Sequence, residues 1–181
     1  MTEAHAAIDR PLLPADLAPE LAAAAVAGTV LVQSACSDED TDFVLALAAE
    51  HDWIAAVVAW VDLERPEGRL DDLLATGKVG GIRHLIHDEA DPHWILRPAV
   101  LDGLALIEER GLVLELPAVW PRHLGDVPTL SERFPSLRIV IDHLGKPHST
   151  VGSAVGSPGG RTRSSLPPVT GTCTRSSRVS T

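Results

Sequence analysis

Ile139, Val140, Ile141, Asp142, His143, Leu144, Gly145, Lys146 and Pro147 form the stretch that decides how this chain is read. A run of β-branched residues belongs to a strand buried on both faces. This strand delivers an acid and an imidazole at its C-terminal end, where parallel-sheet enzymes present their chemistry.

Working outward, apolar runs of strand length alternate with segments of helical periodicity from Asp16 to Pro147. Strands are predicted at 29–33, 54–61, 79–84, 112–116 and 137–143, each apolar on both sides. Such alternation predicts repeated βα units and a parallel sheet. Ser37, with Asp40 three residues on, resembles a capping box and opens a helix running to about His51, with Val44, Leu47 and Ala48 on its apolar side. A shorter helix is expected at 70–74. Val100, Leu104 and Ile107 mark a stripe over 98–110, and Gly111 stands where a helix ends. Leu17 and Leu21 mark a first helix with Asp16 as its N-cap.

The 181 residues are 45% hydrophobic, enough for one packed domain. Charge is unevenly spread: 25 acidic residues and 11 lysines and arginines precede His148, whereas 148–181 holds four arginines and no acid. An acidic body is a poor partner for a phosphate backbone, so no nucleic acid is expected. The sequence has no membrane-length apolar run and no signal-peptide pattern at Met1 to Arg10, which predicts a cytoplasmic protein without membrane partners. Cys36 and Cys173 have no metal-finger spacing and are expected as unpaired thiols. In 148–181, 22 of 34 residues are Ser, Thr, Gly or Pro, so this segment is expected to form a disordered tail beyond a domain at 1–147.

With the strands placed, five motifs stand at their C-terminal ends or just beyond. They are VLVQ at 30–33, AWVDL at 59–63, GGIRH at 80–84, DPHWI at 91–95 and VIDHLGKP at 140–147. In this order and spacing, they resemble the amidohydrolase-related family that includes L-fuconolactonase and 2-pyrone-4,6-dicarboxylate lactonase. The match runs from about Arg10 to Pro147. The resemblance implies a (β/α)8 barrel hydrolase of the amidohydrolase superfamily. It would open lactones or cyclic esters of sugar acids or aromatic dicarboxylates with activated water, using a small-molecule lactone as substrate. About five of eight βα units are expected here, as a partial TIM barrel.

Two departures qualify the expectation. The resemblance implies a first strand carrying His-x-His, a pair suited to a divalent metal, and nothing like it precedes Leu12. It also implies a general-base aspartate on the last strand, and no Asp or Glu follows Asp142. The segment 168–181 admits codons whose shifted frame reads as a family-like strand. The chain is therefore expected to be a fragment, frameshifted between about Lys146 and Thr150 and inactive alone, with any metal requirement unassigned. Open sheet edges would invite self-association, and the rival reading is a non-catalytic open α/β binding module. A flavodoxin-like domain would need a phosphate-binding glycine loop, which Ser34 to Ser37 does not supply.

His143 is the candidate catalytic residue. The resemblance implies either a polariser of the lactone carbonyl or a metal ligand; the plainer reading is a histidine bonded to its own loop. Arg83 is a candidate clamp for a substrate carboxylate, or else one half of an ion pair. His84 beside it and Gln33 at the end of its strand are candidate substrate contacts. Trp60 joins them as a shaping or roofing side chain, with Asp62 and Trp94, although packing serves each equally well. His87, Asp88, Glu89, Asp91 and His93 match no metal-ligand spacing and are read as a solvated loop.

Overall fold

A computed structural model describes residues 11–146. The expectations for 148–181 and Cys173 lie outside the described residues. Five strands form one sheet: β1 (Thr29–Val32), β2 (Ile54–Ala59), β3 (Val79–Arg83), β4 (Val113–Leu116) and β5 (Arg138–Ile141). Five helices alternate with them: α1 (Pro14–Ala23), α2 (Asp38–Glu50), α3 (Glu67–Ala75), α4 (Pro98–Glu109) and α5 (Val127–Arg133). All four strand pairings are parallel, in the order β1-β2-β3-β4-β5.

That order decides the architecture. Parallel crossovers are right-handed, so a sheet that grows in one direction places its connecting helices on one face. A doubly wound sheet must reverse its strand order somewhere, and this one does not. The helix-covered face carries Val57, Ala59, Ile82, Leu114 and Leu116, none more than 2% exposed. The other face carries Val30, 55% exposed, and Val140, 45% exposed. Helices outside and an open concave face inside make this the wall of a barrel, five strands long among the described residues.

Four strands end one or two residues before the predicted limits, where the chain turns into the loops, and β4 ends at its predicted limit. Ser37 caps α2 through its hydroxyl, which accepts from the Asp40 N–H at 3.1 Å. Asp40 does not close the capping box on Ser37. Its carboxylate reaches back to the Ser34 N–H (2.8 Å), the Ser34 hydroxyl (2.9 Å) and the Ala35 N–H (3.3 Å), tying the end of β1 to the start of α2. The first helix begins three residues earlier than expected, with Leu13 rather than Asp16 at its N-cap. Pro14 occupies its first turn, and Asp16 lies inside it, accepting from the Leu13 N–H at 2.8 Å. Helix α5 was not foreseen, since its seven residues are too few to show a clear stripe.

On α4, Val100, Leu104 and Ile107 are fully buried, as their spacing requires, and Gly111 takes φ +65° just beyond the helix. Gly103 lies on the same helix against the backbone of Leu63; an added Cβ would collide with that residue's carbonyl oxygen. Among the described residues, no helix is long and apolar enough to cross a membrane.

Candidate active site

The C-terminal strand ends bring together residues far apart in the chain. Arg83, the last residue of β3, donates from Nη1 to Asp142 Oδ2 at 3.0 Å and from Nη2 to the Gln33 carbonyl. Gln33 in turn donates from Nε2 to the Arg83 carbonyl at 3.0 Å. The Arg83 and Asp142 side chains are only 14% and 8% exposed. Arg83, a candidate substrate clamp, thus has both terminal nitrogens engaged across three strand ends. Two buried polar atoms in the group have no partner among the described residues: Arg83 Nε and Gln33 Oε1.

Glu115 shares this face. The register pairs Arg83 with Glu115 and Glu115 with Val140, and Val140 lies on the open side. Burial, reinforced by the Asp142 charge, raises the Glu115 carboxyl above its ordinary pKa, against the pull of Arg83. Sequence reasoning passed over this residue, although a lone acid inside the LVLEL strand was the available signal.

His143 lies two residues beyond β5 in a tight turn. His143, Leu144 and Lys146 all take positive φ (50°, 54° and 44°), a region that costs residues with a Cβ of order 1–2 kcal/mol each. A strand end bent this way presents its side chains outward, and His143 is exposed. The Trp120 N–H fastens the turn by donating to the Gly145 carbonyl at 2.8 Å.

Trp60 and His84 belong to an enclosed network. Trp60 Nε1 donates to His84 Nδ1 at 3.1 Å, so the His84 proton sits on Nε2 and is donated to Glu89 Oε1 at 2.8 Å. The His84 ring stacks on Trp94 with centroids 4.0 Å apart, and His84 is 5% exposed. Both ring nitrogens are committed inside the protein. This arrangement holds the β3–α4 loop against the β2 end.

The acid-and-histidine loop after β3, read as solvated, is partly built into the fold. His93 Nδ1 lies 2.9 and 3.1 Å from the two carboxylate oxygens of Asp126, which is 6% exposed. His123 is 3% exposed; its Nδ1 accepts from the Val119 N–H at 3.1 Å, and its Nε2 has no partner among the described residues. Burial lowers the pKa of His123, helped by the adjacent Arg122 charge. Burial also lowers that of His87, helped by Lys146. Among the described residues, no set of three or more His, Cys, Asp or Glu side chains is placed to hold a metal.

Comparison with known proteins gives this geometry its context. The family model described as amidohydrolase matches residues 1–164.

The chain belongs to the amidohydrolase family.

A curated relative, L-fucono-1,5-lactonase of Burkholderia ambifaria, is 40% identical over 143 residues, covering 78% of this chain and 49% of that protein. An amidohydrolase of Burkholderia multivorans solved with bound zinc superposes with a TM-score of 0.70 at 32% identity, over 80% of this chain and 51% of that one. A probable 2-pyrone-4,6-dicarboxylic acid hydrolase of Acinetobacter baumannii, solved with citric acid, shares the fold at a TM-score of 0.60 and 19% identity, over 76% and 52% of the two chains. The chain thus spans about half the length of these amidohydrolase relatives. The family and barrel architecture expected from the five motifs are therefore established. The zinc is a feature of that relative's structure.

Proposed function

We propose that the strand ends from β1 to β5 form part of a pocket for a small lactone of a sugar acid or an aromatic dicarboxylate. One observation carries the reading: the chain is 40% identical to L-fucono-1,5-lactonase over 143 residues, and its own strand ends join Arg83 to Asp142 just before the exposed His143. In the reaction, a water oxygen bonds to the carbonyl carbon and the ring C–O bond breaks. The proton lost by water ends on the released alkoxide oxygen.

His143, exposed on its bent turn, is assigned to the lactone carbonyl, where an imidazole N–H stabilises the developing oxyanion. Arg83 positions Asp142 and the Gln33 backbone. Gln33, Trp60 and His84 shape the floor and wall. Residues 143–181 carry no acid to match the base that the resemblance implies, and on this reading the chain alone binds lactone without efficient turnover.

The test is a lactone-opening assay with L-fucono-1,5-lactone and an aromatic dicarboxylate lactone, run with titration of tryptophan fluorescence. Saturable binding that disappears in His143→Ala, with ring opening at the buffer rate, is the expected result. Failure of both lactones to bind overturns the substrate assignment. Turnover that disappears in His143→Ala overturns the claim of inactivity.

A second reading, self-association, is favoured by the exposed Val30 and Val140 on a face that a closed barrel buries. It predicts a dimer whose population rises with concentration in size-exclusion chromatography with light scattering. A monomer at every concentration removes it.

A further inference from the structure

We infer that His93 and Asp126 form a general-base dyad on the loop rim, able to promote attack of water on small carboxylic esters that carry a good leaving group. The inference does not rest on the lactonase reading and uses none of the residues assigned there. Asp126 occupies the N-cap position of α5, yet its side chain makes no capping hydrogen bond. A carboxylate there ordinarily accepts from the backbone N–H groups of the first turn, and Pro128 removes one of those donors. Instead, both carboxylate oxygens lie within hydrogen-bond distance of His93 Nδ1. Burying an ionised carboxylate is costly unless it is paired, and at 6% exposure Asp126 has this imidazole for its partner.

The consequence for His93 is a fixed tautomer. Nδ1 keeps its proton for Asp126, and Nε2 holds a lone pair on a side chain that is 66% exposed. An oriented imidazole backed by a buried acid, with its second nitrogen open to solvent, is the arrangement that makes histidine a base in acyl-transfer enzymes. The backbone supports it from both sides. Asp91 accepts from the His93 N–H at 3.0 Å, and Arg97 Nε donates to Asp91 at 3.2 Å. Arg122 ties the same loop by donating to the Glu89 carbonyl at 2.7 Å.

In the step proposed, Nε2 removes a proton from water as its oxygen bonds to the ester carbonyl carbon, and the carbonyl electron pair moves to oxygen. Collapse breaks the bond to the leaving oxygen, which departs as a stabilised anion. The imidazolium then releases its proton to solvent, so no oxidant or co-reactant is required.

The test uses p-nitrophenyl acetate with the full chain. His93→Gly is expected to lower the second-order rate constant at least about 10-fold, where a positioned general base contributes roughly 10²–10⁴-fold, and added imidazole is expected to restore most of the loss over and above its own rate on the ester in buffer. Asp126→Asn, which keeps the side-chain shape but not the charge, is expected to lower it about as far. His51→Gln, at the opposite end of the strands, is expected to leave the rate unchanged. A loop-stapling role alone predicts no imidazole rescue. Loss below about twofold in His93→Gly, absence of rescue in protein whose circular dichroism is native, or an equal loss in His51→Gln overturns the proposal. If His93→Gly is not folded, His93→Gln with an intact Asp126 decides by the same rate criterion.

Discussion

Removing the Arg83 guanidinium is the most informative perturbation of the site. Arg83 and Asp142 are 14% and 8% exposed and 3.0 Å apart, so neither charge has water as an adequate substitute for the other. Breaking a buried pair from one side costs about 3–5 kcal/mol, most of it the penalty of the charge left behind. Here that penalty is aggravated because Glu115, already held above its ordinary pKa by burial and Asp142, loses the cation that opposes the shift. Arg83 also holds the Gln33 carbonyl, a charge-assisted bond that Met cannot replace.

Arg83→Met is therefore expected to destabilise by about 3–5 kcal/mol and Asp142→Asn by about 3 kcal/mol. The double variant should cost little more than Arg83→Met alone, giving a coupling energy of at least about 2 kcal/mol. Urea unfolding followed by tryptophan fluorescence measures all three. With a slope of about 1–3 kcal/mol per molar, a 3 kcal/mol loss moves the midpoint by at least about 1 M. Arg83→Lys should recover only part of the loss, since an ammonium cannot span both acceptors as the guanidinium fork does. A coupling energy below about 0.5 kcal/mol would refute the reasoning, because additive behaviour means the two charges are solvated independently.

Gly103→Ala should lose at least about 3 kcal/mol, or fail to fold, because the new methyl meets the Leu63 backbone rather than a movable side chain; thermal unfolding by circular dichroism checks it. Ser37→Ala should cost about 1 kcal/mol as a lost cap, and Asp40→Ala more, since the carboxylate that ties the Ser34 and Ala35 donors to the start of α2 is lost; urea midpoints rank the two. Stability should also fall in mild acid. His87 and His123 have folded pKa values below their unfolded ones, so their neutral forms favour the fold above the unfolded value of about 6.5, and this contribution is lost as pH falls towards the folded values. Urea midpoints between pH 7.5 and 5.5 should decline less in a His87→Gln/His123→Gln double variant; equal slopes contradict the assignment.

Much of this architecture is legible in the sequence. The strands and most helices follow from local spacing, which burial imposes on every strand and helix alike. The Val100, Leu104 and Ile107 stripe was sufficient to predict a buried α4 face, and the five strand-end motifs were sufficient to place the family. The site was less legible. His143 stands as a candidate because a polar pair after an apolar strand is a local signal. Glu115 was missed because its partners come from β3 and the turn after β5, and no local pattern pairs it with them.

The sequence by itself determined where the chain buries apolar surface, and hence the βα alternation, because each element needs only its own periodicity to declare itself. Only the tertiary structure decided the strand order, and with it the single helix-covered face and the open concave one. It alone joined Arg83 to Asp142 across 59 residues and His93 to Asp126 across 33. Those pairings arise from loop closure and packing between elements, which set the neighbours of a charged side chain without leaving a trace in the sequence beside it.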